Sequence, residues 1–178
     1  MILVRVLYLV LPVVAAGALH AVVLKRDLFR GLARPLDASR GLLGPNKTWR
    51  GVAVMVVGST AVVLGQRFVS LDPLELVDYE TPGALLIGPA LGLGYCLAEL
   101  PNSFAKRRLG IAAGGRTASH GRLQYVADQG DSVVGATIAL IPFVREPEVL
   151  VLVAVLGFVL HAGFDRLLYA FHVKRVVP

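Results

Sequence analysis

The chain has one cysteine and few charged residues, and each scarcity removes a class of protein. A lone thiol, Cys96, cannot build an internal disulfide framework. It sits in an apolar stretch without the paired Cys or His spacing of a zinc site. Charged residues make up 17% of 178 positions, hydrophobic ones 56%, and the mean hydropathy is +0.69. A soluble domain of this length needs far more polar surface, so the composition indicates an integral membrane protein. No internal repeat stands out. The Gly-x4-Gly-Lys-Ser/Thr phosphate loop is also missing. The formal net charge of +6 runs against the acidic surface of a halophilic cytoplasm. In a soluble protein it would suggest nucleic acid. In a membrane protein the bias of Lys and Arg toward cytoplasmic loops accounts for it, and no nucleic-acid partner is expected.

What the chain does have is long apolar runs. Spanning a bilayer takes about 20 mostly apolar residues, fewer where helix ends are buried in protein. Five segments qualify: Ile2–Leu24, Gly51–Val69, Gly83–Leu100, Asp131–Val144 and Val149–Phe171. The fourth is short, bounded by Asp131 and by Arg145-Glu146-Pro147-Glu148, but it is apolar throughout. Lys25, Arg26, Arg30, Arg34, Arg40, Lys47 and Arg50 lie between the first two spans. Lys106, Arg107, Arg108, Arg116 and Arg122 lie between the third and fourth, and Arg166, Lys174 and Arg175 at the end. The loop between spans two and three instead carries Asp72, Glu75, Asp78 and Glu80, with Arg67 at its edge. This alternation predicts an N-terminus outside and a cytoplasmic C-terminus. Ala16-Gly17-Ala18 resembles a signal-peptidase site, but cleavage there would send the basic block from Lys25 across the membrane. The expectation is an all-α, multi-pass integral protein of the cell membrane. It is one domain over residues 1–178, with five transmembrane helices and two functional cytoplasmic loops, about 26–50 and 101–130.

Those two loops hold three polar constellations. In "GLLGPNKTWRG", Gly41 to Gly51, a Gly44-Pro45-Asn46 turn precedes Lys47 and Thr48 at the entry to the second span. A helix N-terminus there suits phosphate, with Lys47 as a point charge and Thr48 as a hydroxyl donor. The competing reading is an interfacial anchor of Lys47, Trp49 and Arg50, with Thr48 as a helix cap. In "ELPNSFAKRRLG", Glu99 closes the third span and Pro101 marks a break or a new helix start. Asn102 or Ser103 would then cap a helix carrying Lys106 and Arg107 one turn later and Arg108 on another face. Three adjacent cations are commonly a topogenic run, yet Glu99 near a span end is costly without a partner.

The third constellation is "ADQGDSVVGA". On a helix Asp128 and Asp131 share a face with Cβ atoms about 5–6 Å apart, and two such carboxylates repel unless a cation sits between them. Oxygen ligands of this kind suit Mg²⁺, which binds through one or two carboxylates plus substrate phosphates. Alternatively, Asp131, alone or with Ser132, caps the fourth span, and Asp128 is a solvated loop residue. Elsewhere, His161 and Asp165 at i and i+4 either pair or face the cytoplasmic site, and His20 is interfacial. Gly88 and Gly92 permit close helix packing, and Arg5 snorkels to the outer headgroups. Taken together, a divalent-metal and polyphosphate site next to lipid accounts for all three constellations. The "GIAAGGRTASHGR" stretch, within residues 110–122, reads as a lid.

These residues resemble the CDP-archaeol synthase family, integral-membrane cytidylyltransferases related to the CDP-diacylglycerol synthases. "RPLDASRGLLGPNKTWRG", "LAELPNSFAKRRLGI" and "ADQGDSVVGA" are similar to the family's three signatures. "HAGFDRLLYAFHVKRVVP" is similar to its closing helix and tail. The resemblance implies five spans and a reaction of CTP with a phosphorylated glycerolipid, archaeal-type ether or phosphatidic acid, giving a CDP-lipid and pyrophosphate. It implies Mg²⁺ at Asp128 and Asp131, with Glu99 on a second cation or orienting a basic residue. Lys47, Lys106, Arg107 and Arg108 would neutralise phosphates, and Asn46, Thr48, Asn102 and Ser103 would supply hydrogen bonds. Asp128, Asp131 and Lys106 are the expected catalytic residues. The chain departs from the family where Pro45-Asn46 replaces an acidic position and where Asp165 replaces Asn. A small transporter or lipid-binding membrane protein without catalytic activity is the alternative. A CDP-alcohol phosphotransferase would need a longer ladder of aspartates than this chain has.

Overall fold

The computed structural model describes residues 1–38, 40–69, 71, 74–113, 115 and 121–170. Among them run five long helices: α1 (Ile2–Lys25), α2 (Trp49–Phe68), α3 (Ile87–Arg108), α4 (Gly121–Leu140) and α5 (Pro147–Ala170). Short 3₁₀ turns at Arg30–Leu32 and Pro82–Leu86 punctuate two connections. By length and composition, α1, α2, the stretch Pro82–Arg108 and α5 can each cross a membrane. The sequence predicts three of these spans to within two residues at each end, and the third from its start but only as far as Leu100, eight residues short of Arg108. α4 is long enough, but its first eleven residues include Arg122, Asp128, Gln129 and Asp131.

Successive helices run antiparallel, and their contacts fix the register. His20 lies beside Gly51, Ala16 beside Gly58, and Gln66 reaches Tyr8, so α2 descends along α1. Ser59 bonds to the Gly88 carbonyl at 2.6 Å, and Met55 lies against Gly92, which sets α3 on α2. The tightest seam joins α3 to α4. A Cβ at Gly94 would fall 2.5 Å from the Gly135 carbonyl oxygen, and one at Gly135 would collide with Gly94. At Gly92 a Cβ would fall 2.7 Å from the Met55 carbonyl oxygen, so the small residues here let backbones touch. The expected packing role of Gly88 and Gly92 is borne out. Leu9, Leu91, Leu140 and Val153 fill the core between these seams.

Two local expectations are corrected. Pro101 neither breaks α3 nor starts a new helix; α3 runs through it to Arg108. The proline removes one backbone donor, but Asn102 and Lys106 just beyond it are bonded to α4 and hold the last turns in place. Nor is Asp131 an N-cap or Asp128 a loop residue. α4 begins at Gly121, and both aspartates lie inside it. Hydropathy marks where a helix meets lipid; this helix continues upstream because its polar side chains find partners on α3 and α5.

At the end of the bundle where α1 starts, the connection after α2 folds back as a cap. Tyr79 is wholly buried and meets Tyr8 edge-on, with ring centroids 5.9 Å apart. Arg67 donates to the Tyr79 and Thr81 carbonyls at 3.3 and 3.2 Å, and Gln66 to the Tyr8 carbonyl at 2.7 Å. Arg5 donates to the Glu75 carbonyl, where headgroup snorkelling was expected.

Candidate active site

The opposite end of the bundle gathers the polar motifs. On α3, Glu99, Asn102 and Lys106 recur at i, i+3 and i+7 and so share one face. On α4, Asp128, Asp131 and Ser132 do the same at i, i+3 and i+4. The glycine seam lower down brings these two faces together. Asn102 Nδ2 donates to Asp128 Oδ1 and to Asp131 Oδ2, both at 2.7 Å. Lys106 Nζ reaches Asp128 Oδ1 at 2.6 Å. Ser132 Oγ lies 2.6 Å from Glu99 Oε1 and 3.1 Å from Asp131 Oδ1. Glu99 is also ion-paired with Lys47.

Lys47 arrives on a braced loop. Leu36 N–H donates to the Lys47 carbonyl at 2.8 Å and Trp49 N–H to the Arg34 carbonyl at 3.1 Å, around a two-residue bridge of Pro35 with Thr48. Thr48 then caps α2, its hydroxyl oxygen accepting from Gly51 N–H at 3.2 Å. Asp37 accepts from Leu43 N–H at 2.8 Å and shapes the turn that follows. Gly44 adopts φ +90°, a left-handed conformation, and lies under the Arg107 side chain. The first and second motifs therefore touch, although they are distant in sequence. Arg50 pairs with Asp27 at 2.9 Å, and this bond holds the Asp27 carboxyl below its ordinary range.

Most of the expected residues converge: Lys47, Glu99, Asn102, Lys106, Asp128 and Asp131 form one connected cluster. Arg107 sits at its edge over Gly44, and Ser103 is buried next to Asn102. Arg108 is not brought in; it is exposed on another face, its guanidinium 5.2 Å from the Phe104 ring centroid. Asn46 is exposed in its turn. Of the lid expected over 110–122, residues 114 and 116–120, His120 among them, lie outside the described residues, as does the tail from Phe171.

The cluster suits a hard cation. Its acidic donors are carboxylate oxygens, and two of them already converge on one amide nitrogen beside an ammonium group. Among the described residues no group of three His, Cys, Asp or Glu side chains is close enough to hold a metal alone. Two carboxylates completed by substrate phosphates is the usual arrangement for Mg²⁺.

A cavity of about 330 Å³ adjoins the cluster, with Glu99, Asp128 and His20 in its wall. It runs between α1 and α5 toward Val10 and Val153. Three helices meet across its wall through His161, whose ring nitrogens contact Tyr95 OH and the Gln129 carbonyl, each at 3.0 Å. Gln129 Nε2 donates to Asp165 Oδ2 at 3.3 Å. His161 thus links α3 to α4, and Asp165 accepts from α4. Tyr95 and Gln129 were missed by sequence reasoning, and Ser132 was seen only as a cap. Helical spacing from Asp128 was the one signal that could have placed Ser132 on the acidic face.

Known proteins agree with this architecture. A family model described as CarS-like, CDP-archaeol synthase, matches residues 1–177. The chain is 33% identical to a CDP-archaeol synthase of Methanopyrus kandleri, covering 96% of this chain and 90% of that one. It is 24% identical to a CDP-archaeol synthase of Methanococcus maripaludis, covering 96% and 93% of the two. It is also similar to the solved structure of an intramembrane enzyme for archaeal membrane lipids biosynthesis. That match has a TM-score of 0.61 and 26% identity over 89% of this chain and 91% of the other. With a matching fold, full-length coverage and a polar cluster suited to phosphate chemistry at the end of an apolar bundle, the chain belongs to the CDP-archaeol synthase family of membrane-embedded, CTP-dependent lipid-phosphate cytidylyltransferases.

Proposed function

We propose that the protein spans the membrane five times, with α4 as the fourth span and the cluster facing the cytoplasm, and that it moves the cytidylyl group of CTP onto the phosphate of an archaeal-type ether glycerolipid. A lipid-phosphate oxygen attacks the α-phosphorus of CTP, the bond to the β-phosphate oxygen breaks, and pyrophosphate leaves. The observation that carries this reading is the convergence of Asp128 and Asp131 on Asn102 Nδ2. Asp128 and Asp131 would hold an ion such as Mg²⁺, which would supply charge neutralisation for the phosphates.

The chain's own residues do the rest. The attacking oxygen is already anionic at neutral pH, so the site needs no general base; it needs alignment and positive charge where two polyanions meet. Lys106 and Lys47 exchange their carboxylate partners for phosphate oxygens when substrate enters, and Arg107 adds a third cation. Asn102 and Ser132 orient the carboxylates, and Glu99 holds Lys47 in place in the free enzyme.

The test is purified protein in detergent with labelled CTP and either an ether-linked isoprenoid glycerol phosphate or phosphatidic acid, with Mg²⁺ or with EDTA. The expected outcome is a labelled lipid from the ether substrate with Mg²⁺ and none with EDTA. Absence of labelled lipid under every condition would refute the reading. Turnover of phosphatidic acid alone would refute the ether-lipid assignment.

A further inference from the structure

The turn that follows α1 exposes apolar and basic side chains together, and the chemistry above uses none of them. Leu28, Phe29 and Leu32 are 42%, 62% and 44% exposed. Lys25, Arg26, Arg30 and Arg34 are interleaved with them and exposed as well. Asp27 is the one carboxylate within residues 25–34, and Arg30 and Arg50 already share it, at 2.7 and 2.9 Å. Lys25, Arg26 and Arg34 pair with no carboxylate among the described residues. A tip that mixes Leu and Phe with unpaired cations is poorly suited to bulk water. It suits a surface that offers acyl chains and phosphates side by side.

The backbone sets the depth of this patch. α1 has 24 residues and is therefore about 36 Å long, more than the roughly 30 Å of hydrocarbon it crosses. Its last turn thus lies at headgroup level, and the chain does not run on from there into water. Asp27 N–H returns to the Leu24 carbonyl at 3.1 Å and Leu28 N–H to the Val23 carbonyl at 3.0 Å, the bond pair of a Schellman ending. That ending needs a left-handed residue, usually glycine, and here Asp27 takes the conformation at φ +48°. Phe29 is left-handed too, at φ +53°, a region that a residue with a Cβ rarely adopts. Leu28 is thereby tied level with the last turn of α1, and Phe29 and Leu32 follow within four residues.

We propose that residues 25–34 dock on the bilayer itself, with Leu28, Phe29 and Leu32 among the upper acyl chains and Lys25, Arg26 and Arg34 on the phosphates of anionic phospholipids. An uncharged bilayer would cover the apolar tip but leave those three cations without counter-charge, so charge complementarity selects an anionic one. The patch is tied to the start of α2 by the Arg50–Asp27 pair and by Trp49 N–H on the Arg34 carbonyl. Its lipid contact therefore also fixes the level of the neighbouring Lys47. This inference does not depend on the reaction catalysed.

The experiment reads depth by tryptophan fluorescence. Trp49 is the protein's one tryptophan, so Phe29→Trp combined with Trp49→Phe leaves a single reporter at the tip. The full-length variant is reconstituted in vesicles of phosphatidylcholine and phosphatidylglycerol in equal parts, one lipid or the other being brominated near the top of its acyl chains. The reporter at position 29 should be quenched by brominated lipid and protected from acrylamide in the water. Brominated phosphatidylglycerol should quench at least about twofold more than brominated phosphatidylcholine. That excess should shrink toward parity at high salt and when Arg26→Gln and Arg34→Gln are added together. A reporter that brominated lipid does not quench overturns the proposal, and protection from acrylamide in that case assigns the patch to a protein contact such as a second copy. Equal quenching by the two lipids overturns the anionic partner, as does an excess that the arginine substitutions leave intact. If the tip variant does not fold, wild-type Trp49, 55% exposed and bonded to Arg34, carries the same comparison. No phosphatidylglycerol excess there, or one that Arg26→Gln with Arg34→Gln leaves unchanged, is decisive against it.

Discussion

The two ends of the bundle both carry Arg, Gln, Tyr or carboxylate side chains at membrane level, yet they use them differently. At the end where α1 starts, the donors go to backbone carbonyls: Arg67 to Tyr79 and Thr81, Gln66 to Tyr8, Arg5 to Glu75. Each bond pins a loop to a helix, and its acceptor is a fixed backbone group. At the other end, side chains bond to one another: Lys47 to Glu99, Lys106 to Asp128, Asn102 to both aspartates. Charges that pair only among themselves can re-pair when a ligand arrives, whereas backbone-anchored ones cannot without unfolding the loop they hold. On the proposed function, the contrast separates polar groups that maintain the fold from polar groups kept ready for substrate.

The largest expected effect breaks the comparison at the site end. Asp128→Asn and Asp131→Asn each keep the side chain's volume and one acceptor oxygen for Asn102 but remove the negative charge. Each should lower CDP-lipid formation by ~10²-fold or more, the scale expected when a charge-stabilising group is lost. Both variants should still elute as folded protein in detergent. Full activity in both would end the metal assignment.

A smaller loss is expected from Lys106→Ala. Its ammonium pairs with Asp128 in the free protein and with phosphate in the proposed complex. Losing one charge-assisted hydrogen bond should raise the KM for CTP by roughly tenfold, with a lesser change in kcat. An unchanged CTP KM would mean that Lys106 merely neutralises Asp128, making it structural like the residues at the far end.

Much of this organisation was legible in the sequence, because long apolar runs report directly on lipid contact and paired charges beside them are costly without a purpose. The four strongly apolar helices and six of the clustered side chains were found that way. What was not legible depended on partners from other helices. The upstream half of α4 is held by Asn102, Lys106 and Asp165, none of which is local to it. Pro101 reads as a break only until α4 secures the turns beyond it. Arg108 looked like part of a basic cluster, but helical geometry turns it about 100° from Arg107 and onto Phe104. Gln129 gave no signal at all, since a lone Gln beside two Asp residues looks like solvated surface until α5 covers it.

The smallest effect sharpens the comparison from the far end. Arg67→Ala removes two long hydrogen bonds, at 3.3 and 3.2 Å, that tie the connection after α2 to the bundle. Their net contribution is about 1–2 kcal/mol, which lowers the melting temperature by a few degrees in a protein of this size. The Tyr8–Tyr79 contact and the Gln66 bond remain, so the cap should loosen without detaching. kcat and the KM for CTP should not move, because the lost bonds end on carbonyls at the opposite end of the bundle from Asp128 and Asp131. Thermal unfolding followed alongside the labelled-CTP assay reads both quantities on one preparation. A tenfold fall in kcat/KM with an unchanged melting temperature would contradict the division between the two ends, since a side chain bonded only to backbone would then be controlling chemistry across the membrane.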